Sequence, residues 1–113
     1  MTDKYTCINS GQAIEWLEKG AIVADIRDSQ SFQQGHIPGA FNLSNDNMHE
    51  FMLAADFEKP LIVCCYHGIS SQSAAQYLVH QGFEQVCSLD GGFEDWGKTQ
   101  PEHIESTINN PDK

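Results

Sequence analysis

The sequence predicts an α/β fold: a mostly parallel central sheet of about five short strands with helices on both faces. Three observations predict it. Short apolar runs alternate with amphipathic stretches from one end of the chain to the other. The runs are apolar on both faces, as strands covered on both sides must be. The connections between them are short and hold Gly, Pro, Asn and Asp. At 113 residues with 40% hydrophobic content, the chain has the material for one core, so residues 1–113 are read as a single domain. Its core is expected at about residues 5–97, with 98–113 a polar tail.

The elements follow in order. A short extended start at Tyr5 to Ile8 meets Asn9 or Ser10, either of which can cap a helix. That helix carries Ala13, Ile14, Trp16 and Leu17 on its apolar side and stops at Gly20. Ala21 to Ile26 reads as a buried strand. Asp28 or Ser29 then caps a brief helix ending at Gly35, and Gly35-His36-Ile37-Pro38-Gly39 is a loop because it packs two glycines and a proline into five residues. A very short strand at Ala40 to Leu43 precedes caps at Ser44 to Asp46 for a helix through Met48, Phe51, Met52 and Ala55, which ends before Lys59-Pro60. Leu61-Ile62-Val63-Cys64-Cys65 is the strongest strand. After Tyr66 to Ile69, Ser70 to Gln81 is helical, with Ala74, Ala75, Leu78 and Val79 on one side and Gly82 as its stop. A last strand at Gln85 to Leu89 leads through Asp90-Gly91-Gly92 to a short helix with Phe93 and Trp96 as core residues. The polar composition from Lys98 onward predicts that the final ten or so residues are loosely ordered.

Charge excludes whole classes of partner. Sixteen acidic residues face six basic ones, for a net charge of −10 and a pI near 4.6. Nucleic-acid binding draws on clustered Lys and Arg, and so does binding to anionic membranes. The scattered acids are read as a soluble, self-repelling surface. No apolar run is long enough to span a bilayer, and Met1-Thr2-Asp3-Lys4 opens without a signal-peptide core, so a cytoplasmic protein is expected. Cys7, Cys64, Cys65 and Cys87 include no CxxC pair and are expected as free thiols in a reducing compartment.

In parallel sheets the functional crevice lies at the carboxyl ends of the strands. Two such ends carry chemistry here: Asp25-Ile26-Arg27-Asp28 and Cys65-Tyr66-His67-Gly68. Cys65 sits where a buried strand runs out, before a glycine-containing loop and a helix opening with Ser70 and Ser71. That arrangement aims backbone N–H groups and the positive end of a helix into one concavity, which is what stabilises a thiolate. Gly68 permits the positive φ that turns its N–H inward. Cys7, Cys64 and Cys87 are expected to be small buried hydrophobes, Cys64 facing the opposite side of the strand from Cys65.

Three segments resemble the rhodanese domain family. Gly35-His36-Ile37-Pro38-Gly39-Ala40 is similar to its first signature, Cys65-Tyr66-His67-Gly68-Ile69-Ser70-Ser71 to its active-site loop, and Leu89-Asp90-Gly91-Gly92-Phe93-Glu94-Asp95-Trp96 to its second signature. Each is weak alone, but their order and spacing also fit, from about Tyr5 to Trp96. The loop and the length look most like the family's single-domain thiosulfate sulfurtransferases. The resemblance implies a rhodanese-like fold and a double displacement. In it the Cys65 thiolate takes the outer sulfur of thiosulfate, releases sulfite and passes the sulfur to an acceptor: cyanide, a small thiol such as dihydrolipoate, or a thioredoxin-like protein. No metal or organic cofactor is needed for that chemistry.

Other residues around the loop carry expectations of their own. Tyr66, His67, Gly68, Ile69, Ser70 and Ser71 are taken as the substrate-binding loop. Tyr66 forms a pocket wall, and His67 shapes the loop or touches substrate rather than acting as an acid or base. The Ser70 and Ser71 hydroxyls either bond the thiolate and sulfonate or simply cap the helix. His36 is expected to tie its loop to the body by a ring hydrogen bond. Arg27, the only arginine, is read as a structural ion pair beside Asp25 and Asp28, with an anion contact at the cleft mouth as the alternative. His49, His80 and His103 lack the paired spacing of metal ligands.

Two other functions compete. A related class of phosphatases needs Cys-x5-Arg to grip phosphate, and Ser71 stands where that arginine would be. Rhodanese modules used only for protein binding generally lack the loop cysteine, which this chain keeps.

Overall fold

The computed structural model describes residues 4–106. Five strands and five helices alternate: β1 (Thr6–Ile8), α1 (Ser10–Glu18), β2 (Ile22–Asp25), α2 (Ser29–Gln34), β3 (Phe41–Asn42), α3 (Met48–Ala54), β4 (Leu61–Cys64), α4 (Ser70–His80), β5 (Val86–Leu89) and α5 (Gly92–Thr99). All strand pairs are parallel, in the order β1-β5-β4-β2-β3. The α/β architecture read from the sequence is the one observed.

Helix starts follow the predicted chemistry in two cases. Asn9 caps α1 with a reciprocal pair, its Oδ1 accepting from Gln12 N at 2.8 Å while Gln12 Oε1 accepts from Asn9 N at 2.9 Å. Asp28 caps α2 by accepting from Ser31 N at 3.1 Å. For α3 the expectation needs correction. Its N-cap is Asn47 rather than a residue of Ser44 to Asp46, and that side chain braces the preceding turn, accepting from Ser44 N and donating to Asn42 O.

The sheet divides the core in two, and β4 makes the division visible. Its Ile62 and Cys64 join Ile8, Val23, Leu89 and Trp96 on the face covered by α1 and α5. Leu61 and Val63 join Leu43, Phe51, Ala75, Leu78 and Phe83 on the face covered by α3 and α4. This is the period-2 alternation of a strand buried on both sides.

One cysteine departs from expectation. Cys7 is exposed, not buried: β1 is an edge strand, and of its three residues only Ile8 is buried. Cys64 and Cys87 are buried as expected.

The packed body extends past residue 97. α5 runs to Thr99, Trp96 Nε1 donates to His103 O at 2.8 Å, and His36 and Glu105 exchange backbone hydrogen bonds at 2.8 Å each. The expected loose order of the last ten residues falls mostly on 107–113, outside the described residues.

Chain direction locates the crevice. From β2 the chain moves outward to β3, and from β4 it moves outward the other way to β5. The carboxyl ends of the adjacent strands β2 and β4 therefore face a gap that neither connection crosses, the switch point at which α/β sheets bind ligands.

Candidate active site

The gap between β2 and β4 is a cleft of about 830 Å³. Arg27 and Asp28 line it from the β2 side, Cys65, Tyr66 and Ser70 from the β4 side, and Phe93, Glu94 and Ile104 from α5 and the segment beyond it. β4 ends at Cys64, one residue earlier than the sequence suggested, so Cys65 is already the first residue of the loop.

Cys65 is buried at the bottom of this cleft, 5% exposed. Its sulfur accepts the Gly68 N–H at 3.1 Å and the Ser71 N–H at 3.2 Å, and Ser71 Oγ lies 3.2 Å from it. Burial opposes the anion. The Ser71 hydroxyl, the Ser71 and Gly68 N–H groups and the His67 N–H together outweigh it, holding the Cys65 thiol below the ordinary value of 9.0. The helix gains from the same contact. Ile69, the N-cap of α4, supplies no side-chain acceptor, and the free Ser71 N–H at the helix start is taken up by the Cys65 sulfur.

The loop keeps this shape because α5 holds it from behind. Phe93 N donates to Cys65 O at 2.8 Å and Glu94 N donates to Tyr66 O at 3.0 Å, so two otherwise free N–H groups of α5 fix the two peptide units following the sulfur. The approach is too close for side chains. A Cβ on Gly92 would stand 2.5 Å from Cys65 O and Tyr66 O, and one on Gly68, at φ +87°, would stand 2.7 Å from Gly91 N. The two glycine signatures of the sequence are thus the two halves of one backbone contact. On the other side, Gln72 Nε2 donates to Gly68 O at 2.9 Å.

The remaining loop residues separate by direction. Tyr66 and Ser70 line the cleft, as expected of Tyr66. Ile69 is 73% exposed and does not line it. The exposed His67 ring pairs through Nδ1 with Glu94 Oε1 at 2.8 Å, which ties the loop tip to α5. Ser70 and Ser71 begin α4 without being its cap.

Arg27 takes the first of its two expected roles, the structural ion pair, from a position in the cleft wall. Its guanidinium holds buried Asp25 at 2.7 Å and Gly35 O at 2.7 Å, and sits 4.2 Å above the Phe93 ring, all while forming part of the cleft wall. Phe93 is accordingly a wall residue as well as a core one, while Trp96 is wholly buried. His36 behaves as read: Nδ1 meets Phe32 O at 2.7 Å, and the ring stacks on Phe32 at 3.8 Å.

Sequence reasoning missed three contributors: Gln72, the N-terminus of α5 as the loop's support, and Ser88, whose Oγ lies 2.7 Å from Ser71 Oγ. The signal for the second was present in Asp90-Gly91-Gly92. For Ser88 it was one hydroxyl in a strand otherwise apolar, Val86-Cys87-Ser88-Leu89.

Comparison with known proteins agrees with this geometry. Residues 10–99 match the Rhodanese-like domain. The chain is 52% identical over 99 residues, 87% of its length, to a protein of Pseudoalteromonas translucida named Thiosulfate sulfurtransferase GlpE, of which the match covers 94%. Among solved structures, a rhodanese-related protein of Thermoplasma volcanium superposes with a TM-score of 0.73 at 26% identity, over 85% of this chain and 94% of that one. Bacillus anthracis CoADR-RHD superposes with a TM-score of 0.77 at 26% identity over 88% of this chain, which spans 18% of that longer one.

Proposed function

The chain belongs to the rhodanese-like domain family and is a sulfurtransferase, and we propose that it moves the sulfane sulfur of thiosulfate to a nucleophilic acceptor through a persulfide on Cys65. The observation that carries this reading is the Cys65 sulfur at the bottom of the cleft, accepting the N–H groups of Gly68 and Ser71 at the head of α4.

The Cys65 thiolate attacks the outer sulfur of thiosulfate. An S–S bond forms to Cys65, the S–S bond of thiosulfate breaks, and sulfite leaves with the electron pair. The persulfide then presents its terminal sulfur to the acceptor. Cyanide takes it as thiocyanate and a thiolate takes it as a persulfide, and either transfer returns the Cys65 thiolate. Electrons balance across the two steps without a metal or organic cofactor. Dividing the transfer through a covalent intermediate replaces one difficult step with two easier ones. N–H groups already aimed at the sulfur stabilise its charge without reorganising during reaction.

Within this reading Cys65 is the nucleophile, Gly68 and Ser71 hold its charge, and Tyr66 and Ser70 face the substrate. His67 and Ile69 frame the loop. The acceptors proposed are cyanide, small thiols and a thioredoxin-like protein, the working compartment is the cytoplasm, and one domain carries the whole reaction. The described residues hold no helix long and apolar enough to cross a membrane.

Incubation with thiosulfate should add one sulfur, about 32 Da, to the peptide containing Cys65, and cyanide should remove it. No mass gain, or a gain that persists in Cys65→Ser, refutes the proposal. Phosphate release from an aryl phosphate without a sulfur adduct would favour the phosphatase alternative, despite Ser71 in the place of its arginine.

A further inference from the structure

We infer that Ser88, on β5 and outside the loop, is a positioning residue that sets the direction of the hydrogen-bond chain ending on the Cys65 sulfur. The chain is Ser88 Oγ to Ser71 Oγ at 2.7 Å and Ser71 Oγ to Cys65 Sγ at 3.2 Å. Ser71 and Ser88 are both wholly buried, so neither hydroxyl can turn to water.

Direction follows from counting partners. Among the described residues Ser88 Oγ has one hydrogen-bond partner, Ser71 Oγ. A buried hydroxyl hydrogen without an acceptor is costly, so Ser88 donates to Ser71. Ser71, with one lone pair occupied by Ser88, sends its own hydrogen to the remaining neighbour, the Cys65 sulfur. A sulfur that receives this hydrogen together with two N–H groups is favoured as the thiolate over the thiol. If Ser88 offered no donor, the Ser71 hydroxyl would be free to accept from a neutral Cys65 thiol instead. A chain of hydroxyls ending on an anion also strengthens along its length, because each donor is polarised by the next.

Strand register makes the placement possible. Ser88 pairs with Val63, two residues before Cys65, and it alternates with Cys87 and Leu89, which belong to the opposite face of the sheet. Its hydroxyl therefore emerges on the α4 side, beneath the first turn of that helix. Most positions facing α4 are apolar, among them Leu61, Val63 and Val86.

The inference rests on Cys65 being the nucleophile of the proposed reaction, but its test does not need turnover. The pH dependence of Cys65 alkylation by iodoacetamide, read by mass spectrometry on the Cys65 peptide to exclude exposed Cys7, reports the thiolate fraction directly. Ser88→Ala should raise the apparent Cys65 pKa by about 0.5–1 unit, slowing alkylation roughly three- to tenfold below that pKa. Ser88→Thr keeps the hydroxyl and should restore most of the shift. In a Ser71→Ala background, Ser88→Ala should have no further effect, since the chain is already cut.

An unchanged Cys65 pKa in Ser88→Ala would overturn the inference, as would an equal further shift in the Ser71→Ala background. A lowered melting temperature with an unmoved pKa would make Ser88 merely structural. A pKa shift in a protein that forms no thiosulfate adduct would preserve the chain and remove the proposed function instead.

Discussion

Cys64 and Cys65 are consecutive residues, both buried, and their thiols are pushed in opposite directions. Cys64 faces Ile62, Leu89 and Trp96. Burial raises it well above 9.0 and the nearby Asp25 adds to the rise, while its sulfur lies 3.5 Å from the Cys65 carbonyl, to which its thiol can donate. Burial at the cleft also raises Cys65, yet it ends below 9.0 because the loop and the head of α4 supply donors. One step past the end of β4 exchanges an apolar face for the head of a helix. N–H and O–H groups reaching a sulfur therefore outweigh a partial burial, while a sulfur sealed in the core without them is pushed the other way.

Exchanging the two sulfurs is the strongest way to break this comparison. Cys65→Ser should remove the persulfide and lower turnover by on the order of a thousandfold or more, because no other thiol occupies the cradle. Cys64→Ser should leave the adduct on Cys65 and keep turnover per folded molecule within about twofold, while burying a hydroxyl at a cost of about 1–3 kcal/mol. Steady-state kinetics and urea unfolding of the two variants separate these outcomes. Equal losses of activity in both would place reactivity in the strand end as a whole.

Withdrawing the donors while keeping the sulfur gives a smaller effect. Gly92→Ala leaves Cys65 in place but forces its Cβ against Cys65 O and Tyr66 O, each 2.5 Å away, displacing the peptides that aim the loop's N–H groups. We expect kcat/KM to fall by about a hundredfold, with the Cys65 peptide alkylating more slowly at neutral pH. Unchanged alkylation would mean that the loop holds its shape without support from α5.

The cysteines also divide in their effect on stability with pH. Cys65 is lowered in the folded protein, so the unfolded chain binds more protons there between the folded value and 9.0, and stability rises with pH across that window. Cys64, Cys87 and Cys7 are raised, so above 9.0 the unfolded chain binds fewer protons and stability falls. Urea midpoints should therefore climb slightly toward pH 9 and then decline. Cys65→Ser should remove the climb, and Cys87→Ala should soften the decline. A Cys65→Ser profile parallel to wild type would contradict the lowered thiol.

What the sequence disclosed follows the same division between local and distant causes. The strand-helix alternation, the first two helix caps to within two candidates each, the loop bearing Cys65 and the burial of Cys64 were legible because each depends on residues near it in the chain. The exposure of Cys7 was not, since nothing in Thr6-Cys7-Ile8 announces an edge strand. Asn47 rather than Ser44 to Asp46 heads α3, and its side chain bonds Ser44 N and Asn42 O instead of the helix, so no capping signal marks it. Ser88 escaped because its meaning lies in Ser71, 17 residues away in sequence. The return of residues 103–105 to His36 and Trp96 runs mainly through backbone groups, which carry no compositional signature.

The smallest expected effect concerns how an anion reaches the donors around Cys65. A net charge of −10 opposes thiosulfate at long range. Among the described residues Arg27 is the only basic one lining the cleft, and its charge is already engaged by Asp25, while Asp28 and Glu94 stand at the same walls. Attraction must then come from the short-ranged N–H groups of the loop, and the surrounding field hinders entry. Raising the concentration of a non-competing salt from low values to about 0.15 M shortens the screening length to about 8 Å, so kcat/KM for thiosulfate should rise by roughly twofold. Cyanide, with one charge instead of two, should show a smaller gain in the second step. A fall in kcat/KM on adding salt would instead mean that Arg27 keeps enough free charge to steer the substrate, and Arg27→Gln, which leaves Asp25 unpaired, should then abolish the salt dependence rather than merely destabilise the fold.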